Sequence, residues 1–111
     1  METVIVINQN SMGSGSSELG KTLIGAFLKK LWARSTKPDM IVLYNSGVEL
    51  LGKNSMYLDA LDGLEEAGVE ILACGTCLDH YKINEELKVG RRSDMVEIVN
   101  ILMESTKVIT I

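Results

Sequence analysis

The chain has 111 residues, of which 46% are hydrophobic and 23% charged, and its formal net charge is −4 at pH 7. This length predicts a single domain over residues 1–111, and an acidic balance without a basic run argues against binding to nucleic acid or to an anionic membrane surface. No stretch approaches the roughly 20 apolar residues of a membrane span, and the first residues lack a cationic signal-peptide region, so we expect a cytoplasmic protein.

Apolar runs alternate with amphipathic segments along the chain. Short runs rich in β-branched residues predict strands at residues 4–7, 40–44, 69–73 and 108–111, with a further short strand at 88–90. Helices are predicted from Glu18 to before Pro38, over about 55–67, and from an N-cap at Ser93 to about 105, with a helical turn at 84–87. This alternation predicts an α/β fold with a mainly parallel sheet that helices cover on both faces.

The first predicted helix carries one apolar stripe. Its members are Leu19, Leu23, Phe27 and Leu31, widened by Ile24, Leu28 and Trp32. The segment 15–22 at its start matches the phosphate-loop pattern GxxxxGK[ST] letter for letter. A phosphate loop follows its strand closely, whereas Ile7 lies eight residues before Gly15, so this segment is interpreted as a loop and a helix start.

Polar or reactive residues follow three of the predicted strands where each ends: Asn8, Asn45 and Cys74. In open parallel sheets, sites form just beyond the carboxyl ends of the strands. Turn formation alone accounts for the two asparagines, but it does not account for a cysteine. The expected site therefore centres on Cys74.

The strand-end cysteine is the first of a pair in the segment 74–81, Cys-Gly-Thr-Cys-Leu-Asp-His-Tyr. A thiol between a strand end and a helix start can accept hydrogen bonds from free backbone N–H groups, which favour the nucleophilic thiolate. Gly75 lets the backbone approach the sulfur closely. Cys77 is placed to resolve a disulfide or to accept a sulfur atom.

On the residues alone, four interpretations of the pair stay open: reactive or sulfur-carrying thiols, inert buried side chains, a metal site and a structural disulfide. A closed zinc site needs four ligands. The chain offers Cys74, Cys77 and its only histidine, His80, and the fourth would come from Asp79, water or another subunit. For a reactive thiol, His80 and Lys82 add positive charge, whereas Asp79 opposes it.

Two short elements are specific: Tyr-Asn-Ser-Gly-Val at residues 44–48 and Cys-Gly-Thr-Cys-Leu at 74–78. Together with the segments 4–8, 18–21, 68–72, 89–90 and 107–109, they resemble the DsrE/DsrF-like sulfur-relay family, and most of all the C-terminal DsrE-like domain of YedF-type proteins named for selenium metabolism. The resemblance covers nearly the whole chain. It implies a three-layer α/β/α fold of the DsrEFH-like type around a parallel five-stranded sheet.

The resemblance also implies a carrier of sulfur, or of selenium, as a cysteine persulfide. The carrier role falls on Cys74, because Ile83 stands nine residues later and matches the family's spacing. Cys77 belongs to the YedF-type subset and is expected as the second thiol. The other residues expected to bind around the pair are Asn8, Asn45, Ser46, Gly75, Thr76 and His80.

Relatives of this kind imply two partners, a TusA-like sulfur-carrier domain or protein and further copies of the same chain. Trp32, Met56 and Tyr57 are possible exposed apolar contacts for such an oligomer. No cofactor is expected. Two competing functions stay open: a non-catalytic partner-binding or redox-regulatory module, and a metal-binding domain that uses Cys74, Cys77 and His80.

Overall fold

Five short strands form one sheet in the computed structural model, which describes residues 3–83 and 86–111. In chain order they are β1 (Thr3–Ile7), β2 (Met40–Leu43), β3 (Glu70–Cys74), β4 (Arg91–Ser93) and β5 (Lys107–Thr110). Neighbouring strands are parallel, and the order across the sheet is β4-β3-β2-β1-β5. The predicted mainly parallel five-stranded α/β fold is confirmed.

Helices cover both faces of this sheet. The helices α1 (Ser17–Ala33) and α2 (Leu58–Glu66) pack on one face. A 3-10 helix (Asn45–Leu51) follows β2, and the six-residue α3 (Gly75–His80) follows β3. The helix α4 (Met95–Glu104) packs on the opposite face. Within residues 3–83 and 86–111, no helix is both long enough and apolar enough to cross a lipid bilayer.

The strands send alternate side chains into two apolar layers. On β1, Ile5 and Ile7 pack with α1 and α2, whereas Val4 and Val6 pack with α4. Both sets are buried, which is why the strand sequences are continuous apolar runs rather than alternating ones. A fully buried Ile or Val contributes about 1.5–3 kcal/mol to stability, so the two layers hold the strand ends firmly in place.

The buried face of α1 is rotated from the predicted stripe. The large buried residues are Ile24, Leu28 and Leu31. Leu19 and Leu23, which the spacing places in the stripe, are 57% and 43% exposed. The loop at residues 8–16 folds back onto the helix, because the Met12 N–H donates to the Gly20 carbonyl at 2.9 Å. Gly20 is therefore buried at the start of α1, against Ser11 of this loop.

The short strand predicted at 88–90 was placed too early, and β4 lies three residues further on. Gly90 has a φ of 79° and donates its N–H to the Glu65 carboxylate at 2.7 Å, which holds it outside the sheet. Ser93 then belongs to β4, and Asp94 is the N-cap of α4, where it accepts the Glu97 N–H at 2.8 Å. Of the turn predicted at 84–87, residues 84 and 85 lie outside the described residues, and 86 and 87 are not helical.

Candidate functional site

The two cysteines lie at the carboxyl end of β3. Cys74 is both the last residue of the strand and the N-cap of α3, so the chain passes from strand to helix without a loop. Its thiol makes no cap hydrogen bond to the start of the helix, unlike the geometry expected from the sequence. Cys77 follows one helical turn later, which brings it to the same side of α3. Both thiols are free.

The two thiols differ in their access to solvent. Cys74 is 4% exposed and packs into the apolar layer beneath α4. Cys77 is half-buried and contacts both apolar layers of the protein. The two thiols are close enough for Cys74 to raise the pKa of Cys77. The pair is therefore one dithiol site with a buried inner sulfur and a partly open outer sulfur.

The outer sulfur has a second hydrogen-bond partner at the end of the neighbouring strand. The backbone N–H of Asn45 donates to Sγ of Cys77 at 3.1 Å. The two residues meet because β2 and β3 are parallel neighbours whose carboxyl ends lie at the same edge. Asn45 has a φ of 51°, in the left-handed region that asparagine tolerates better than most other residues.

The pKa of the Cys77 thiol is raised above its ordinary value. Burial is the main cause, because it disfavours the charged thiolate, and the neighbouring thiol of Cys74 acts in the same direction. The N–H of Asn45 and the backbone of Cys77 itself act in the opposite direction. Cys77 is therefore largely a thiol at neutral pH, and the Asn45 hydrogen bond favours its thiolate.

A shallow cavity of about 370 Å³ opens onto the outer sulfur. Four of the predicted site residues line it: Asn45, Thr76, Cys77 and His80. Sequence reasoning missed three others: Tyr44, Tyr81 and Met95. The Tyr81 hydroxyl donates to Oδ1 of Asn45 at 3.2 Å, and its ring packs edge to face with that of His80 at 4.9 Å.

A guanidinium group lies against the start of α3. Arg92 donates to the two carboxylate oxygens of Asp79 at 2.9 and 2.8 Å. A Cβ at Gly75 would come within 2.9 Å of Arg92 Nε, so glycine leaves the room this side chain needs. Hydrogen bonds from Arg92 hold the pKa of Asp79 below its ordinary value. The pKa of Arg92 is raised, chiefly by Asp79 and to a smaller extent by the charge of Cys74.

The whole chain matches one protein family. A family model of DsrE/DsrF-like proteins matches residues 1–111. The chain belongs to the DsrE/DsrF-like family. The search of curated protein sequences found no match.

Three solved structures share the fold of this DsrE/DsrF-like chain. The ychN protein from E. coli is 19% identical with a TM-score of 0.65, and the match covers 100% of both chains. MTH1491 from Methanobacterium thermoautotrophicum, a protein of unknown function, is 22% identical with a TM-score of 0.67, and the match covers 96% of this chain and 97% of that one. BT1422 from Bacteroides thetaiotaomicron, a conserved protein of unknown function, is 13% identical with a TM-score of 0.69, covering 99% of this chain and 95% of that one.

Besides Cys74, three predicted site residues lie outside the cavity of this DsrE/DsrF-like chain. Asn8 is half-buried just past the end of β1. The Ser46 hydroxyl accepts the N–H of Asn10 at 3.0 Å, so it fastens the loop at residues 8–16 to the 3-10 helix. Gly75 is buried beneath Arg92. These residues shape the surroundings of the dithiol rather than the surface that a ligand would contact.

The residues that sequence reasoning missed differ in how well the sequence signals them. Tyr81 stands four residues after Cys77, and that helical spacing would have placed it on the same face. Arg92 has no local signal, because its place near Cys74 depends on the pairing of β4 with β3. The pairing of β4 with β3 also brings Arg92 next to Asp79, and the two form an ion pair. The segment 74–81 alone predicts that the negative charge of Asp79 opposes a thiolate, but in the structure Arg92 balances that charge.

The metal-binding interpretation requires at least three ligands close together. Among the residues that the structure describes, no three His, Cys, Asp or Glu side chains form a group that could hold a metal ion. His80 is exposed and packs against Tyr81. Cys74, Cys77 and His80 therefore do not make a metal centre in this structure.

Proposed function

We propose that this DsrE/DsrF-like chain is a sulfurtransferase-like carrier that holds sulfur, or selenium, as a persulfide on Cys74, with Cys77 as the second thiol. The observation that carries the proposal is the dithiol itself. Two free thiols lie one helical turn apart at the carboxyl end of β3, and one of them opens onto a cavity. A buried inner thiol suits storage, because the surrounding apolar layer shields a persulfide from reductants in solvent.

Sulfur transfer to this pair requires a donor persulfide and no net oxidant. A thiolate of the pair attacks the outer sulfur of the donor, the donor S–S bond breaks, and the donor leaves as a thiolate. The attacked sulfur stays on the cysteine as a persulfide. For release, the thiolate of Cys77 attacks the inner sulfur of a Cys74 persulfide, which forms the Cys74–Cys77 disulfide and expels hydrogen sulfide. An external dithiol then reduces the disulfide and restores both thiols.

The partners proposed for this carrier are a TusA-like sulfur-carrier protein and further copies of the chain, within the cytoplasm, as for a YedF-type member. Exposed apolar side chains on α4 support protein contacts close to the site: Met95, Val96, Val99 and Met103. Met95 also lines the cavity at Cys77, so a protein that approaches this sulfur covers it. Trp32 and Met56 are exposed on the opposite face of the sheet, and Tyr57 is half-buried. Two free cysteines suit a reducing compartment.

The test is intact-mass spectrometry after incubation with a small persulfide donor, before and after treatment with a reductant. We expect the wild-type protein to gain one sulfur atom that the reductant removes, and peptide mapping to find it on Cys74. In the Cys74→Ala variant sulfur can stay only on the partly open Cys77, from which the reductant should remove it faster than from the wild type, and the Cys74→Ala/Cys77→Ala variant is the matched control without thiols. A wild-type protein that gains no sulfur, or a thiol-free variant that gains as much, contradicts the proposal.

A second candidate, a partner-binding or redox-regulatory module, is favoured by one observation. Cys74 is only 4% exposed, as expected of a cysteine that serves as a small apolar core residue. In that case the wild-type protein forms the Cys74–Cys77 disulfide under oxidation but gains no sulfur from a persulfide donor. The two candidates thus give opposite results in the same mass measurement.

A further inference from the structure

The two thiols of the pair differ in their access to the cavity. We infer that Cys77 is the thiol that receives incoming sulfur, and that Asn45 and Tyr81 are positioning residues for the hydrogen bond to its sulfur. The inference rests on the proposed sulfur-carrier function and adds a direction to it. Sulfur enters at the outer thiol and then moves inward to Cys74.

Access determines which thiol the donor meets. Cys77 lines the cavity, whereas Cys74 is 4% exposed and lies beneath α4. The cavity walls around Cys77 include Thr76 on α3 and Met95 at the start of α4. A persulfide carried on another molecule can therefore reach Cys77 through the cavity, while Cys74 lies one helical turn before Cys77 and shares an apolar layer with it.

Two consecutive hydrogen bonds connect Tyr81, through Asn45, to the outer sulfur, Sγ of Cys77. The Asn45 N–H donates to Sγ of Cys77 at 3.1 Å, and Asn45 itself adopts a left-handed φ of 51°. That conformation costs energy in any residue other than glycine, so it persists where surrounding contacts hold it. The contact here is the Tyr81 hydroxyl, which donates to Oδ1 of the Asn45 side chain at 3.2 Å. The Tyr81 hydroxyl thus fixes the position of Asn45, whose backbone N–H donates to Sγ of Cys77.

The hydrogen bond serves both transfer steps. In the first, the Cys77 thiolate attacks the outer sulfur of the donor persulfide, the donor leaves as a thiolate, and Cys77 becomes a persulfide. In the second, the Cys74 thiolate attacks that outer sulfur, the S–S bond at Cys77 breaks, and Cys77 leaves as a thiolate. No electrons are gained or lost overall. The Asn45 N–H stabilises the thiolate of Cys77 before the first step and as the leaving group of the second.

The titratable groups around Cys77 define the controls. Cys74 lies behind it on β3, Tyr44 follows β2, and His80 and Tyr81 lie on or just after α3. From α4, the residue that lines the cavity is Met95, which carries no charge. Tyr44 is the matched control for Tyr81, because a Phe substitution at either position removes one phenolic hydroxyl from the same cavity.

The experiment measures the rate at which iodoacetamide alkylates Cys77 as a function of pH, in the Cys74→Ala protein, which retains one thiol. We expect Tyr81→Phe to raise the apparent pKa of Cys77 and to lower its rate at pH 7 by roughly threefold or more, as loss of one neutral hydrogen bond that holds Asn45 predicts. Tyr44→Phe should leave the profile in place. Asn45→Gly removes the side chain that Tyr81 holds, so Tyr81→Phe should have no further effect in that background.

The inference is overturned if Tyr81→Phe gives the same alkylation profile as Tyr44→Phe, or if its effect persists in the Asn45→Gly background. The direction of transfer is tested separately in the Cys77→Ala protein. Persulfide loading of Cys74 should slow by about tenfold or more in this variant, because the buried thiol must then react with the donor directly. Loading at an unchanged rate contradicts the assigned order. Because alkylation needs no sulfur transfer, a wild-type protein that never gains sulfur overturns the carrier proposal separately.

Discussion

Gly47 lies in the 3-10 helix that carries Asn45, and a Gly47→Ala substitution tests how tightly this helix is packed. An added Cβ would stand 2.3 Å from the carbonyl oxygen of Ile7 and 3.0 Å from its carbonyl carbon. Ordinary carbon–oxygen contacts are about 3.3–3.6 Å, so the backbone must separate by roughly 1 Å. The same Ile7 oxygen accepts the N–H of Tyr44 at 3.2 Å, so that hydrogen bond weakens as well.

The free energy of unfolding should fall by about 2 kcal/mol in the Gly47→Ala protein. Overpacking in a rigid region costs about 1–3 kcal/mol, whereas the smaller entropy of the unfolded chain returns about 0.4–1 kcal/mol. For a chain of 111 residues, this loss lowers the melting temperature by about 8 °C.

Urea denaturation measures this loss of unfolding free energy. An unchanged dependence of the free energy on urea concentration shows that only stability has altered. Gly25→Ala in α1 is the control, because its Cβ would first meet a side-chain atom, Tyr57 Cε1, at 3.3 Å. We expect that variant to stay within about 0.5 kcal/mol of wild type, since alanine also has the better helix propensity. A Gly47→Ala protein as stable as Gly25→Ala would refute the packing argument.

Three further predictions concern charge, assembly and the start of α3. Hydrogen bonds from Arg91, and then from Ser93, lower the pKa of Glu97 to about 2 from an ordinary 4.5. Because the pKa of Glu97 is lower in the folded protein, its carboxylate stabilises the protein above pH 4.5, and this stabilisation disappears as the pH falls toward 2. The stabilisation is about 1 kcal/mol, since solvent screens an exposed ion pair. The acid denaturation curve of Glu97→Gln should lack this contribution. Sedimentation at micromolar concentration should show an oligomer that Met103→Glu weakens, and a wild-type monomer would contradict the proposed assembly. Gly75→Ala should lose about 1 kcal/mol in urea denaturation despite its better helix propensity, because its Cβ would stand 2.9 Å from the Ser93 carbonyl; a gain in stability would show that β4 yields.

The sequence predicts the sheet well, because β1, β2 and β3 are apolar runs buried on both faces and β5 contains three β-branched residues. The site is predicted less completely. The residues of the dithiol are evident from Cys-Gly-Thr-Cys, but the passage from β3 into α3 without a loop is not, since Gly75 and Thr76 are poor helix formers. The contact between Asn45 and Cys77 depends on the parallel pairing of β2 and β3 and on a left-handed conformation.

Errors near the carboxyl end of the chain have a similar cause. The segment 88–90 has the residues of a short strand, but its glycine is held outside the sheet by a carboxylate on α2. Ser93 and Asp94 are both good N-cap residues, and the pairing of Ser93 with Cys74 decides between them. A side-chain contact in the first case and strand pairing in the second, both with distant segments, determine these positions, and local sequence patterns do not report such interactions.

The two outer strands of the sheet limit how copies of this protein can associate. β4 has three residues, and two of them are the arginines Arg91 and Arg92, whose side chains are engaged with carboxylates of the same chain. β5 begins with Lys107 and is four residues long. Short, charged outer strands discourage the hydrogen bonding of one sheet to another, which is the route to fibrous aggregates. Association should therefore leave the sheet at five strands per molecule and proceed through helical surfaces, so that each copy keeps its own dithiol.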